Sequence, residues 1–233
     1  MSAEQLLKDG DLPGCMKVLQ DQIRNDPSNL PYRVFLFQML SVLGDWKRAL
    51  TQLDVIKEMD TATWPMVQTY REAVQCEALR EGIFSGERSP LVFGDPEQWV
   101  ALVVEALRLS AGGVSSHSQE LREQAFEQAP TTSGKIDDND FVWLADADAR
   151  LGPILEVIVN GNYYWIPLHQ IREIRIEEPE DLRDFVWTVA QFRWSNGGEA
   201  VGLIPTRYPG SDRTEDSLTQ LARKTQWTER QPG

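Results

Sequence analysis

The sequence predicts an α+β protein, in which an N-terminal helical array is followed by a small antiparallel β-rich domain. Three observations support this prediction. Two segments near the N-terminus repeat each other, the apolar periodicity becomes strand-like after Pro130, and an Asn160-Gly161 pair separates two apolar runs. We predict a helical domain over residues 1–130 and a β-rich domain over 140–233, with a short terminal helix over Asp216–Lys224.

The repeat is seen at two Gly-Asp pairs, Gly10-Asp11 and Gly44-Asp45, which lie 34 residues apart. At the same offset Cys15 matches Ala49. Helix–turn–helix units of this length are typical of tetratricopeptide (TPR) repeats. The Gly-Asp pair suits a turn between two helices, and a small side chain five residues later lets them approach closely. The sequence therefore predicts a TPR-like array.

The helices of the array follow from the apolar spacing and the proline positions. They are predicted near Leu30–Val42, Trp46–Glu58 and Pro65–Leu79. A further helix is predicted in DPEQWVALVVEALRLS, with Asp95 as N-cap and Pro96 at its first position, and a last one in SQELREQAFEQAP. Phe37 and Arg71 stand where a TPR usually keeps a small residue, so the array is predicted to be irregular.

One face of this array is a candidate partner-binding surface. If the helices stack as TPR units do, the first helix of each unit lines the concave face. Val34 and Gln38 take such positions in one unit, and Gln68 and Glu72 take them in the next. Concave faces of helical solenoids bind peptides or helices. The alternative is that this short array packs only against the second half of the chain.

The second half reads as strands. The stretch TTSGKIDDND is polar and turn-rich and is interpreted as a linker, whereas ILEVIVNGNYYWIP predicts a β-hairpin around its Asn-Gly turn. Because alternate residues of a strand share a face, Tyr163 and Trp165 lie on one side. With Arg207 and Tyr208 in TRYPG, they form a second candidate surface for a partner. The alternative for these side chains is packing against the helical half.

Composition narrows the classes of partner and compartment. The net charge of −13 repels nucleic acids and anionic membranes, and it suits a basic or amphipathic protein partner. The only cysteines, Cys15 and Cys76, lie inside helical patterns, so a disulfide framework is not expected. This favours a reducing cytoplasm as the compartment. The N-terminal residues do not resemble a secretory signal. These features predict a cytoplasmic protein.

No pattern in the sequence indicates catalysis. Neither His117 nor His169 lies near a recognisable nucleophile motif. The phosphate-binding motifs G-x-x-x-x-G-K-[ST] and G-x-G-x-x-G are both absent, so no cofactor is expected. The acidic segment Asp137–Asp148 fails the EF-hand pattern, because no glycine follows Asp146 and Asp148 at the required position. Carboxylates that cap backbone N–H groups are the expected role there. A metal-dependent hydrolase with its site in this segment is the alternative.

Several long blocks resemble the ImpE/TagJ family: VFLFQMLSVLGDWKRALTQLDV, WPMVQTYREAVQCEALREGIFSG, LADADARLGPILEVIVNGNYYWIPLHQIREI, DLRDFVWTVAQ and LIPTRYPGS. The resemblance runs from about Tyr32 to Trp227. It implies a non-enzymatic cytoplasmic accessory protein of bacterial type VI secretion systems. Such a protein would bind the N-terminal helix of the small contractile-sheath subunit (TssB-like) and thereby influence sheath disassembly by the ClpV ATPase. The resemblance does not identify individual binding residues in this sequence. A structural scaffold that joins larger partners is a further hypothesis.

Overall fold

A computed structural model describes residues 1–95, 97–113 and 115–227. Its fold is mixed α+β, with a helical N-terminal part and a sheet, as predicted. The helices are α1 Ala3–Lys8, α2 Leu12–Asn25, α3 Leu30–Val42, α4 Trp46–Met59, α5 Trp64–Phe84, α6 Gln98–Ser110, α7 Ser116–Gln128 and α8 Ser217–Gln220. The strands are β1 Leu91–Val92, β2 Gly134–Ile136, β3 Asn139–Phe141, β4 Ile154–Val159, β5 Asn162–Pro167, β6 Ile171–Ile176, β7 Trp187–Trp194 and β8 Glu199–Pro205. Within the described ranges, no helix combines the length and apolar character needed to cross a membrane.

Contacts between Cα atoms divide the described chain into two compact units. Unit 1 consists of Met1–Gln75, Glu178–Thr188 and Pro205–Trp227. The described part of unit 2 consists of residues from Cys76–Glu177 and Val189–Ile204. The predicted domain boundaries, 1–130 for the helical domain and 140–233 for the β-rich domain, stay a prediction.

The repeat appears in unit 1 as two helix–turn–helix segments with matching backbone geometry. Gly10 and Gly44 follow α1 and α3 with φ of 81° and 67°, a left-handed conformation that glycine adopts without strain. Asp11 and Asp45 then cap α2 and α4, and each carboxylate accepts a hydrogen bond from the N–H three residues on, at 2.9 and 3.2 Å. The turn between α3 and α4 therefore has the same glycine and the same capping aspartate as the turn between α1 and α2.

Small side chains lie at the predicted approach points of the paired helices. Cys15 on α2 and Ala49 on α4 are both fully buried. Burial, followed by the charges of Glu4 and Asp11, raises the pKa of the Cys15 thiol to about 11. The thiol is therefore protonated at neutral pH and serves as a small core side chain.

Helix α5, predicted as the first helix of a third repeat unit, begins at the position that the 34-residue offset predicts. Helix α5 starts at Trp64, 34 residues after the start of α3 at Leu30, and in both helices a proline follows the first residue. Proline is tolerated in a first turn because the N–H it lacks has no partner inside the helix. Helix α5 continues to Phe84, beyond the predicted end at Leu79.

Three further features differ from their predictions. The segment read as a linker contains the β2–β3 hairpin, because Asp137 takes the left-handed conformation (φ 51°) that a tight turn requires. Helix α6 has Glu97 rather than Asp95 at its N-cap, and the predicted Pro96 position lies outside the described residues. Helix α8 stops at Gln220, because Ala222 has a φ of 54° and reverses the chain.

The six-stranded sheet has the order β1-β5-β4-β8-β7-β6. The Asn160-Gly161 hairpin is confirmed, since β4 and β5 pair antiparallel from Ile154↔Pro167 to Val159↔Asn162. The β-rich part is not purely antiparallel, because β1 pairs parallel with β5. The chain reaches β1 from α5 rather than through a hairpin, so no turn constrains β1 to run antiparallel.

Unit 2 has buried side chains on both faces of this sheet, and one face carries a defined apolar cluster. A cluster of buried side chains shares that face: Val157, Val159, Ile166, Ala190, Phe192 and Trp194. The rings of Phe192 and Trp194 stack with their centroids 5.0 Å apart. Gly202 on β8 allows close strand approach, because a Cβ there would lie 2.9 Å from the Ile158 carbonyl oxygen.

The two turn glycines provide a matched pair of substitutions. Replacing either Gly10 or Gly44 by alanine forces a side chain into the left-handed region, which costs about 1 kcal/mol. At Gly44 the new Cβ would also meet the Asp212 side chain, at 2.2 Å from Oδ2 and 3.0 Å from its Cβ, whereas at Gly10 its nearest neighbour is Leu218 at 3.4 Å. We expect urea unfolding to show a larger loss of unfolding free energy for Gly44→Ala than for Gly10→Ala. Adding Asp212→Ala to Gly44→Ala should reduce the difference, because only the contact with the Cβ at 3.0 Å remains, and equal losses for the two single variants would contradict the contact.

Candidate partner-binding surface

The predicted concave-face residues differ in accessibility. On α3, Val34 is half-buried and Gln38 is only 6% exposed. One repeat later on α5, Gln68 is exposed and Glu72 is half-buried, and the Gln68 amide donates a hydrogen bond to the Glu72 carboxylate. The accessible part of the predicted surface therefore lies mainly on α5, and Gln38 is a core residue that a partner could reach only if the surrounding side chains moved.

Aromatic contacts hold α3 and α5 together inside unit 1. The ring centroids of Phe37 and Tyr70 lie 5.8 Å apart, and Trp187 lies 5.7 Å from Tyr70. The Arg183 guanidinium lies 4.6 Å from the Tyr70 ring centroid, an attractive cation–π arrangement. Burial raises the pKa of Tyr70, so this side chain stays neutral. The bulky Phe37, which departs from the TPR pattern, is therefore accommodated by aromatic packing.

Sequence reasoning missed Trp64 on the same stretch of helix. Its side chain is 50% exposed, and the Lys57 ammonium lies 4.1 Å from its ring centroid. Residues four positions apart share a helix face, so Trp64 continues the face of Gln68 and Glu72 toward the start of α5. The helical spacing in WPMVQTYRE could have identified Trp64, because it places this tryptophan on the face of Gln68 and Glu72 and not on the buried face.

The predicted surface at Tyr163 and Trp165 is wrong, because both side chains are fully buried in unit 2. The Trp165 indole N–H donates to the Tyr163 hydroxyl at 2.8 Å, and that hydroxyl donates to the Glu156 carboxylate. Burial and then the Glu156 charge raise the pKa of Tyr163 well above its usual value. These side chains are core residues of unit 2 and cannot contact a partner at the surface.

Arg80 balances the charge of this buried network. Its guanidinium donates to the two Glu156 carboxylate oxygens at 2.6 and 2.9 Å, and it lies 3.5 Å from the Glu77 carboxylate. All three charged side chains are less than 9% exposed. Burial acts to lower the pKa of Arg80, but the Glu156 charge and hydrogen bonds outweigh it and raise the pKa. The pair fixes the C-terminal part of α5 to strand β4.

Arg207 is also a structural residue rather than a contact residue. It is 8% exposed, and its guanidinium donates to the carbonyl oxygens of Val42 at 2.6 Å, Gln220 at 2.7 Å and Ser41 at 3.1 Å. Two of these carbonyls are the last of α3, where a cation also complements the helix dipole. Tyr208 is half-buried, with its ring centroid 5.4 Å from that of Trp227.

The acidic segment shows the capping role expected from the sequence. The Asp146 carboxylate accepts a hydrogen bond from the Asp148 N–H at 2.7 Å. The Asp148 carboxylate accepts from the backbone of Arg150 and, at 2.9 Å, from its guanidinium Nε. In the part of the chain that the structure describes, no group of three or more His, Cys, Asp or Glu side chains could hold a metal ion. Nothing in this geometry favours the hydrolase alternative.

The fold and surfaces define a mixed α+β protein in which a helix–turn–helix repeat presents a partly exposed helix face. The sequence model of the family described as "ImpE protein" matches residues 138–233. The chain is 49% identical over 227 residues to the type VI secretion system accessory component TagJ of Pseudomonas aeruginosa, a match that covers 97% of this chain and 81% of the relative. The protein therefore belongs to the ImpE/TagJ family.

A solved structure shares the fold. The crystal structure of protein VPA1032 from Vibrio parahaemolyticus superposes with a TM-score of 0.86 at 24% sequence identity. The match covers 98% of this chain and 85% of the Vibrio chain. The arrangement of helices and sheet is therefore common to proteins with widely diverged sequences.

Arg207 should be a strong determinant of stability. We expect Arg207→Met to lower the free energy of unfolding by about 3 kcal/mol, because it removes the donor to the Val42 and Gln220 carbonyls and one of the two donors to the Ser41 carbonyl. Urea denaturation measures this loss. Arg24→Met is the matched control, since that arginine is 69% exposed and its replacement should change stability by less than about 0.5 kcal/mol. Similar losses for both variants would contradict the capping role.

The buried charge network predicts that a second substitution rescues the first. We expect Arg80→Met to cost about 3–5 kcal/mol at pH 7, because Glu156 is left buried without its cation. Adding Glu156→Gln should recover at least about 1 kcal/mol, since it removes that charge and keeps a hydrogen-bonding group beside Tyr163. Guanidinium chloride unfolding of the wild type and the three variants tests this. A further loss in the double variant would contradict the charge balance.

Proposed function

We propose that this protein is a non-enzymatic cytoplasmic accessory component of a type VI secretion system. In this proposal it binds the N-terminal helix of the small contractile-sheath subunit (TssB-like) and thereby influences sheath disassembly by ClpV. The observation that carries the secretion-system role is the 49% identity to an accessory component of that system over 97% of the chain. The sheath helix as partner comes from the family resemblance, and ClpV enters indirectly, through the sheath.

A TPR-like arrangement of unit 1 is part of the proposal. Its support is the offset that relates Gly10 to Gly44 and the start of α3 to the start of α5. Solenoids of such units expose one helix of each repeat along a groove, and grooves of this kind accept amphipathic helices. We assign the sheath helix to the face formed by Val34, Gln68 and Glu72, with Trp64 at its edge.

The chemistry of this face suits a helix that carries both apolar and basic residues. Trp64 offers a large aromatic surface, and aromatic side chains anchor many protein interfaces. Gln68 and Glu72 supply polar groups and one negative charge beside it. With a net charge of −13, the protein would attract a basic segment from a distance, which increases the association rate more than the final affinity.

The test is a titration of the full chain with a fluorescent peptide of the sheath subunit's N-terminal helix, followed by anisotropy. We expect saturable binding that weakens as salt is raised, because salt screens exposed charges. The triple substitution Val34→Ala, Gln68→Ala and Glu72→Lys should weaken binding about tenfold or more, since it removes contacts and reverses a charge at the face.

Glu123→Lys provides the control for this titration, because it makes the same charge change at an exposed position on α7. It should alter the affinity less than about threefold through the net charge alone. If the triple variant binds as the control does, the assignment to this face is wrong. If the wild-type chain does not bind the peptide, the sheath helix is not the partner.

A further inference from the structure

Unit 2 contains a second surface that the proposed function does not use. Strands β2 and β3 form a two-stranded sheet of their own, and within the described residues neither strand pairs with the six-stranded sheet. In this hairpin Ile136 lies opposite Asn139, and Lys135 lies opposite Asp140 with 3.5 Å between their charged atoms. The outer edges of both strands therefore present backbone N–H and C=O groups to solvent.

Large apolar side chains are concentrated at this hairpin. Ile136 is 57% exposed, Val142 is 77% exposed and Trp143 is 66% exposed. Val142 and Trp143 are adjacent in sequence, and no other exposed large apolar side chains among the described residues are neighbours in this way. The strand register puts Ile136 at the turn end of the hairpin, whereas Val142 and Trp143 follow the other end of β3, so a segment that runs along the hairpin would contact exposed apolar side chains at both ends.

Carboxylates lie at the turn end of the hairpin, beside Ile136. Asp137 and Asp138 form the turn of the hairpin and are exposed, and neither is in an ion pair in the part of the chain that the structure describes. A segment that covers Ile136 and Trp143 would thus place its own side chains beside two negative charges. Lys or Arg at those places would be attracted, whereas Asp or Glu would be repelled.

A bound partner would also stabilise the hairpin. A two-stranded sheet is marginally stable in water unless a further strand or an apolar surface supports it. An extended segment satisfies both needs, because it pairs with an open strand edge and covers the apolar side chains. A second copy of this chain is a poor candidate for that segment, since each copy has the same acidic turn and a net charge of −13.

We propose that the β2–β3 hairpin with Val142 and Trp143, here called the hairpin surface, binds an extended segment of a partner protein. That segment alternates apolar side chains with Lys or Arg. The hairpin surface lies in unit 2 and includes none of the residues assigned to the sheath helix, so the two proposals stand independently.

The test uses three fluorescent peptides of equal length and the full chain. One peptide alternates Val with Lys, the second alternates Ser with Lys, and the third alternates Val with Glu. We expect the Val/Lys peptide to bind saturably and at least about tenfold more tightly than the other two, because only it satisfies both the apolar and the charge requirement. Anisotropy titrations measure the three affinities.

Matched substitutions locate the binding site. Trp143→Ser should weaken binding of the Val/Lys peptide about tenfold, and Val142→Thr should weaken it a few-fold. The controls make the same changes at exposed positions elsewhere, Trp227→Ser and Val201→Thr, and should leave the affinity within about twofold. Far-ultraviolet circular dichroism of each variant checks that the fold is retained.

Either of two results would overturn this assignment. Equal affinities of the Val/Lys and Ser/Lys peptides would mean that net charge alone attracts them. Equal affinities of Trp143→Ser and Trp227→Ser for the Val/Lys peptide, with Val142→Thr matching Val201→Thr, would place binding elsewhere on the chain. Neither result bears on the sheath-helix titration, which depends on the face of α5.

Discussion

Helix α3 ends in the interior of unit 1, and its last carbonyl groups must find hydrogen-bond donors there. Residues Leu36–Val42 are all buried, so water is not available to solvate the end of the helix. Arg207 meets this requirement with a single guanidinium that serves two carbonyls of α3 and one at the end of α8. A donor 165 residues away in sequence is thus a condition for the helical core.

Unit 2 also buries polar groups, and there an ion pair stabilises them. The Arg80 guanidinium and the Glu156 carboxylate are both nearly inaccessible to water, and each is tolerable there only because the other is present. Tyr163 and Trp165 extend the same network by hydrogen bonds, which explains how polar atoms can occupy the centre of an aromatic core. Directional bonds of this kind favour one arrangement of α5 against the sheet over alternatives with similar apolar contact.

Local sequence predicted the features that local physics determines. The Gly-Asp turns, the small residue at Cys15 and the Asn160-Gly161 hairpin all follow from backbone preferences within a few residues. Alternation along β5 showed that Tyr163 and Trp165 share a face, but it could not show whether that face is covered. Arg207 was likewise misread as a surface residue, because no local pattern reports a donor for a distant helix end. Exposed tryptophans lie instead at Trp64 and at Trp143, and Trp143 follows a segment whose polar composition concealed a hairpin.

The division of unit 1 among three stretches of chain bears on how the protein is made. Residues 1–75 leave the ribosome first, and the segment that includes Arg207 and α8 follows only after residues 76–204 have been made. Until then, the Val42 carbonyl at the end of α3 lacks its Arg207 donor, so the first helices to appear are among the last to reach their final stability. Premature termination before Pro205 would consequently damage the N-terminal helices, far from the lost residues, and would expose their apolar faces to chaperones and proteases.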